Sequence, residues 1–342
     1  MDAAMTHEEG FARLQDLSAA GREFLGTEYA ILAGAMSWVS ERNFVAAISN
    51  AGGFGVIACG SMPPEMLAEE TRETAKLTDK PFGVNLITMH PQLDELVEVC
   101  RQENVSHVVL AGGLPHGKTI EAIKDFGAKV ICFAPALIMA KKLVRTGVDA
   151  LVIEGSEAGG HIGPVSTQVL AQEILPHIDA VPIFVAGGIG RGEAIAQFLR
   201  LGAAGCQLGT RFVCAEESIA HPNFKKAFMR GNARDAQASV QLDPKFPVIP
   251  VRALNNAAST EFMQVQQDVI ARYNAGEMDQ EAAQLEIENF WVGALRAGVI
   301  DGDVDAGSLM AGQSVGMVKK EQPMQEIIDE LVEQAAAALD SA

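Results

Sequence analysis

The sequence predicts an α/β protein: a (β/α)8 TIM barrel with a helical insert or cap near the C-terminus. Three observations carry that expectation. Short apolar runs bounded by glycine recur eight times between about residues 30 and 213. Amphipathic stretches with apolar residues at helical spacing separate them. The units follow one another at roughly 20 to 30 residues, the arithmetic of a strand plus a helix.

In order, the apolar runs are AILAGAM, FGVIACG, FGVNLI, HVVLAGG, KVICFA, ALVIEG, IFVAGG and CQLGTRFV. Most are rich in Val, Ile or Phe, as strands buried on both faces require. The stretches SERNFVAAISNAG, PPEMLAEETRETAKL, PQLDELVEVCRQEN and GEAIAQFLRLGA read as helices, several stopped by glycine. A doubly wound sheet has the same rhythm, but no GxGxxG follows the first run. In either architecture ligands bind beyond the carboxyl ends of the strands.

After residue 214 the rhythm breaks. HPNFKKAFMRGNARDAQAS and TEFMQVQQDVIARYNAGEMDQEAAQLEIENFWVGALRAG read as helices around an extended stretch, LDPKFPVIPVRAL, where Pro244, Pro247 and Pro250 exclude a helix. The expected organisation is an N-terminal helical extension (1–28), a barrel (29–214 and 301–342) and an insert (215–300). The insert is expected over the barrel mouth, with a packing or dimerisation element as the alternative. A closing amphipathic helix is expected from about Met324.

Composition narrows the functional classes. Of the 342 residues 48% are hydrophobic and 20% charged, enough for a large core. The net charge of −18 disfavours nucleic acid and anionic membrane surfaces. Five cysteines (Cys59, Cys100, Cys132, Cys206, Cys214) form no CxxC pair, and no two histidines stand at metal-ligand spacing, so neither disulfides nor a metal site is expected. The first residues, MDAAMTHEEGFARLQDL, carry early acids rather than a signal peptide's apolar core. No run approaches a membrane span, and the expected compartment is the cytoplasm.

Candidate site residues cluster at the strand ends. The first strand ends in AGAM, the third places Asn85 at the rim, and the sixth runs into GSEAGGHIG. AGGIG (Ala186–Gly190) and QLGT (Gln207–Thr210) follow the seventh and eighth, where barrels commonly hold a phosphate through backbone N–H groups. Glycine suits that close approach, and no Walker GK[ST] follows. His161 lies in a glycine-rich loop at this face, where an imidazole serves as general acid or base near neutral pH. The other six histidines read as structural or exposed. Glu154 and Glu157 read either as ligand-orienting groups or as solvated carboxylates.

GSEAGGHIG, AGGIGRGEAIAQFLRLGAAGCQLGTRF, PFGVN and ISNAGGFGVI, with AHPNFK and GDVDAGSLMAGQSVG further on, resemble the FMN-dependent nitronate monooxygenases, formerly 2-nitropropane dioxygenases, and their relatives the flavin-dependent (FabK-like) enoyl-ACP reductases. The resemblance runs from about Tyr29 to near the end. It implies non-covalent FMN with its phosphate on Gly187, Gly188, Gly209 and Thr210. It further implies Asn85 and Gln207 at the flavin ring or ribityl chain, Gly159 and Gly160 close to the cofactor, and Ala35 and Met36 against the isoalloxazine. Gly34, Glu154 and Ala186 complete the expected cofactor set, and His161 matches the active-site histidine. Where the family often has QGGM this chain has AGAM, so Ala33 lacks a glutamine's contacts.

The leading expectation is oxidation of alkyl nitronates by O2. The alternative is NAD(P)H-dependent reduction of an enoyl thioester. An acidic acyl carrier would meet a chain of net charge −18, but Lys225, Lys226 and Arg230 could form a local basic landing site. A third possibility is a flavin-binding protein without turnover. The expected partner is a small-molecule substrate, with a homodimer left open.

Overall fold

A computed structural model describes residues 2–60, 62–246, 250–290 and 293–340. Pro247 and the side chain of His7 lie outside the described residues. The strands in chain order are β1 (Ile31–Ala33), β2 (Gly55–Ala58), β3 (Phe82–Ile87), β4 (His107–Ala111), β5 (Lys129–Phe133), β6 (Ala150–Glu154), β7 (Gly160–His161), β8 (Ile183–Ala186) and β9 (Gly205–Leu208). All but β7 form one parallel sheet in the order β1-β9-β8-β6-β5-β4-β3-β2. A parallel bridge from Leu32 to Phe54 joins its two ends, with Phe54 N–H donating to Ile31 O at 2.9 Å. The sheet is thereby a (β/α)8 barrel.

The helices are α1 (Asp2–Leu17), α2 (Ala19–Leu25), α3 (Arg42–Asn50), α4 (Pro64–Leu77), α5 (Leu93–Gln102), α6 (Gly117–Lys124), α7 (Leu137–Thr146), α8 (Thr167–Ile174) and α9 (Gly192–Arg200). From α3 onward each follows a barrel strand and buries one face on it. After β9 the outer position is taken much later in the chain, by α14 (Met324–Asp340), which packs on α9 and α1. Gly192 and Gly10 permit that packing, because a Cβ at either would overlap a backbone carbonyl of α14.

The two-residue period of a strand divides the core into two layers. Leu32, Val56, Val109, Ile131, Val152 and Phe184 fill the barrel interior. Their neighbours Ile31, Ile57, Val108, Val130, Leu151 and Val185 pack outward under the helices. At the amino ends of the strands, Leu25 and Phe24 of α2 close the floor. Lys129 Nζ donates to the Phe24 carbonyl at 2.6 Å, and His107 Nε2 lies 2.9 Å from the same oxygen. Burial pushes the His107 pKa down to about 4, so this imidazole stays neutral.

Between β9 and α14 the structure departs from the predicted helices in two places. The first, α10 (Pro222–Arg230), stops at Gly231 instead of running through ARDAQAS. Asn232 and Asp235 form a reciprocal capping box around a short 3-10 turn (Ala233–Asp235), and the chain then extends into β10 (Ala236–Ala238). β11 (Val251–Leu254) pairs antiparallel with β10 and with β7, making a small three-stranded sheet. The second expected helix is divided into α11 (Ala257–Asn274) and α12 (Gln280–Asn289) by Gly276 in the left-handed region and by Asp279, which caps α12. A short helix α13 (Ala294–Arg296) leads through a π-turn back towards the barrel.

Candidate active site

The carboxyl ends of the strands open into a cavity of about 630 Å³. Gly34, Ala35 and Met36 line it after β1, and Asn85 lines it on β3. Glu154, Gly159, Gly160 and His161 come from β6 and the loop beyond it. Ala186, Gly187, Gly188, Gln207, Gly209 and Thr210 complete the wall at β8 and β9. The residues expected at the cofactor, together with His161, therefore line one space, although their positions are spread over much of the chain.

Strand alternation turns the polar members inward. Val84 and Cys206 pack in the outer layer, so Asn85 and Gln207 face the interior; Val152 faces inward, so Glu154 does as well. Glu154, Ala186 and Gln207 lie at one level, because Glu154 pairs with Ala186 and Ala186 with Gln207. Asn85 Nδ2 donates to Val109 O at 3.0 Å, and its carbonyl oxygen has no partner among the described residues. The Gln207 amide and the Glu154 carboxyl have no hydrogen-bond partner among the described residues. Burial without a partner pushes Glu154 up to about 8, so it holds its proton at neutral pH.

The two glycine turns supply anion donors. Among the described residues, the backbone N–H groups of Gly187, Gly188 and Gly209 donate to nothing. Gly187 and Gly188 have φ of 101° and 71°, and a Cβ on Gly187 would lie 2.8 Å from Thr167 Oγ1. Thr210 Oγ1 accepts from Gly312 N–H at 2.9 Å, which frees its hydroxyl hydrogen for another acceptor. Several unpaired N–H groups beside a hydroxyl suit a phosphate.

His161 reaches solvent through the open cavity, and its ring makes no hydrogen bond to a described residue. Surrounding protein still disfavours its charge and lowers its pKa from the usual value, so the neutral ring prevails at pH 7. Glu157 does not line the cavity. Its carboxylate accepts from Thr167 N–H at 2.9 Å and Thr167 Oγ1 at 3.0 Å, capping α8 and tethering the loop. His90 and His221 accept from backbone N–H groups of Gln92 and Asn223, and His177 lies against the Glu173 carbonyl. Among the described residues no group of three His, Cys, Asp or Glu could hold a metal.

Lys225 corrects one expectation. It is buried, with Nζ donating to Ala215 O at 2.7 Å and to Glu321 at 2.6 Å, so it is no part of a basic landing surface. Its acidic partner lies 96 residues away, beyond the reach of local pattern reading. Ala33, on β1, packs with the outer layer and also lines the cavity, so the change from glutamine falls at the edge of the site. All five cysteines are buried free thiols, including Cys206 inside β9.

Residues without a predicted role also line the cavity. Met310, Gly312 and Ser314 come from the stretch before α14, while Phe224, Leu295 and Val299 come from the segment between β9 and that stretch. The motif GDVDAGSLMAGQSVG marked the first group without suggesting its contacts. A Cβ on Gly159 would lie 2.6 Å from Gly312 N, so glycine at 159 lets the two segments touch.

Among the described residues, a parallel eight-stranded barrel carries unpaired amide donors after its last two strands and an imidazole with no hydrogen-bond partner on one cavity, the architecture of a (β/α)8 barrel enzyme. The family model described as nitronate monooxygenase matches residues 19–103 and 88–334, and the chain belongs to that family. It is a flavin-dependent oxidoreductase. The chain is 29% identical, over 96% of its length and 98% of the relative's, to (3aS,4S,5R,7aS)-5-hydroxy-7a-methyl-1-oxo-octahydro-1H-indene-4-carboxyl-CoA dehydrogenase of Rhodococcus jostii. It is 31% identical to a nitronate monooxygenase of Paraburkholderia phytofirmans over 61% of this chain and 70% of that one. The solved structure of FabK from Thermotoga maritima superposes with a TM-score of 0.82 at 35% identity, covering 92% of this chain and 94% of that chain.

Proposed function

We propose that the chain binds FMN in this cavity and oxidises alkyl nitronates with O2, yielding a carbonyl compound and nitrite. The observation that carries the reading is one cavity holding both the unpaired N–H groups of Gly187, Gly188 and Gly209 and the unpaired ring of His161. Bound FMN supplies two-electron chemistry that no side chain can.

The glycine N–H groups and the Thr210 hydroxyl would hold the phosphate. The Asn85 carbonyl oxygen, the Gln207 amide and the protonated Glu154 carboxyl would meet the polar edge of the ring system or the ribityl chain, with Ala35 and Met36 on its apolar side. Neutral His161 takes the proton from the carbon bearing a nitro group, or donates its ring N–H to a nitronate oxygen. The segment 215–300 caps the mouth, because Phe224, Leu295 and Val299 line the cavity and β11 pairs with β7. Exclusion of water there strengthens each of these polar contacts. The buried free thiols suit a reducing cytoplasm.

Purified protein should be yellow, and anaerobic mixing with ethyl nitronate should bleach its visible absorbance. His161→Ala should keep the flavin and lose about 10²-fold or more in turnover. Absorbance that stays fully oxidised under ethyl nitronate would sink the reading.

A second reading, reduction of an enoyl thioester by NAD(P)H with His161 protonating the α-carbon, draws on the carboxyl-CoA relative that spans nearly the whole chain. Rapid anaerobic bleaching by NADH, reversed by a crotonyl thioester, would favour it.

A further inference from the structure

We propose that Arg252 is a positioning residue, holding the loop that carries His161 in place at the cavity. The proposal rests on the reading of His161 as the group that moves the proton. No described residue hydrogen-bonds the ring, so its place is set by the backbone that bears it. That backbone has two halves with different anchors. The near half, residues 155–158, is bound at its base: Gly155 N–H donates to Ala186 O on β8, Ser156 N–H to Val165 O where the loop returns towards α8, and Glu157 O accepts from Gln313 N–H.

The far half has none of these anchors. Strand β7 is only Gly160 and His161, lies outside the barrel sheet, and among the described residues pairs with β11 alone. His161 is in register with Val251 and Gly160 with Arg252, and Ile162 N–H donates to Pro250 O at 3.0 Å. Gly160, at φ 78°, adds no side-chain stiffness. The placement of the ring is therefore inherited from β11, a strand of the segment after the barrel.

A single guanidinium joins the two halves. Arg252 Nε donates to Ser156 O at 2.8 Å, at the base of the loop, and Nη1 donates to Ala236 O at 2.6 Å, on β10. Its planar fork reaches in two fixed directions from one residue, whereas a lysine ammonium is a single point donor. The fork thus ties the stem of the loop to the sheet that holds its tip. Glu157 lies close enough to offset the cationic charge, although its carboxylate is already engaged by Thr167. Losing the fork would leave β11 held to described residues outside its own sheet only at its far end, where Leu254 N–H donates to Leu309 O and Ala253 bridges Met310, so that its start could shift relative to Ser156 and carry His161 with it.

The test uses the FMN-loaded protein with ethyl nitronate as substrate, and amide hydrogen exchange as a readout independent of activity. Arg252→Ala should keep its flavin content and visible spectrum, lower kcat at least tenfold with a smaller change in KM, and speed exchange at residues 160–162 at least tenfold while β4 and β5 stay protected. Added guanidinium should restore part of the lost kcat, and Arg252→Lys should not. The double variant with His161→Ala should be no slower than His161→Ala alone, since both losses pass through one ring. Arg252→Gln, which keeps one planar donor, should fall between and replaces the alanine variant if that one does not fold. Unchanged exchange at 160–162, or losses that multiply in the double variant, would overturn the proposal. If exchange rises while His161→Ala keeps full turnover, the positioning of the loop stands and the catalytic reading of His161 fails.

Discussion

Glu154 ends β6 with its carboxyl turned into the barrel by the strand's alternation, and no described group donates to it. Its folded pKa of about 8 lies above the ordinary carboxylate value. Between those values the folded protein holds a proton that the unfolded chain releases. The contribution to stability is therefore fully present below the ordinary carboxylate value and is lost as pH rises from there through about 8. In flavin-free protein, Glu154→Gln should match the wild type in denaturant melts near pH 4 and exceed it by roughly 4–5 kcal/mol at pH 9. His161 is shifted in the opposite sense, its charged form disfavoured by burial. If its neutral ring is the base, kcat/KM should fall on the acid side at a midpoint below the free imidazole's ~6.5. A profile whose acid limb lies above that value, or one that persists in His161→Ala, would argue against this assignment.

At the scale of elements, the turn after β8 is confined on several sides. A Cβ on Gly187 would lie 2.8 Å from Thr167 Oγ1 and 3.0 Å from Gly155 O, in a backbone region costly to any side chain. Gly187→Ala should therefore weaken FMN binding by about tenfold or more, since strain of roughly 1–3 kcal/mol falls where the amide donors must align. Fluorescence titration of flavin-free protein would measure it. The turn itself was readable from AGGIG following an apolar run, as were Asn85 and Gln207 from their place at strand ends. β7 was not readable, because two residues carry no period and their pairing partner lies about 90 residues on. The end of α10 at Gly231 is followed by the capping box of Asn232 and Asp235, a reciprocal contact that the helix-like stretch through ARDAQAS does not reveal. The contact of Gly312 with Thr210 left no local signal, since a glycine's use depends on what approaches it.

Across the whole molecule, a net charge of −18 opposes the approach of an anionic nitronate at long range. Raising ionic strength from 0.02 to 0.3 M should therefore raise kcat/KM for ethyl nitronate, by about twofold or more, and leave that for neutral nitroethane nearly unchanged. Stopped-flow measurements at fixed pH would separate the two, and equal responses would place the charge away from the path of approach. The repeated strand–helix rhythm made the barrel legible because nearest neighbours in the sheet are mostly successive strands. Its eighth outer helix was legible only as an amphipathic closing segment. Its seat against α9 and α1 depends on glycines far away in the chain.

The bond from Gly312 to Thr210 and that from Gln313 to Glu157 bring the penultimate part of the chain back to loops made long before. A ribosome that has released only the first nine strands has exposed the glycine turns but not the segment that braces them. If those turns hold the cofactor as proposed, its capture belongs to the finished polypeptide, and a chain halted before residue 312 would emerge with its mouth unbraced.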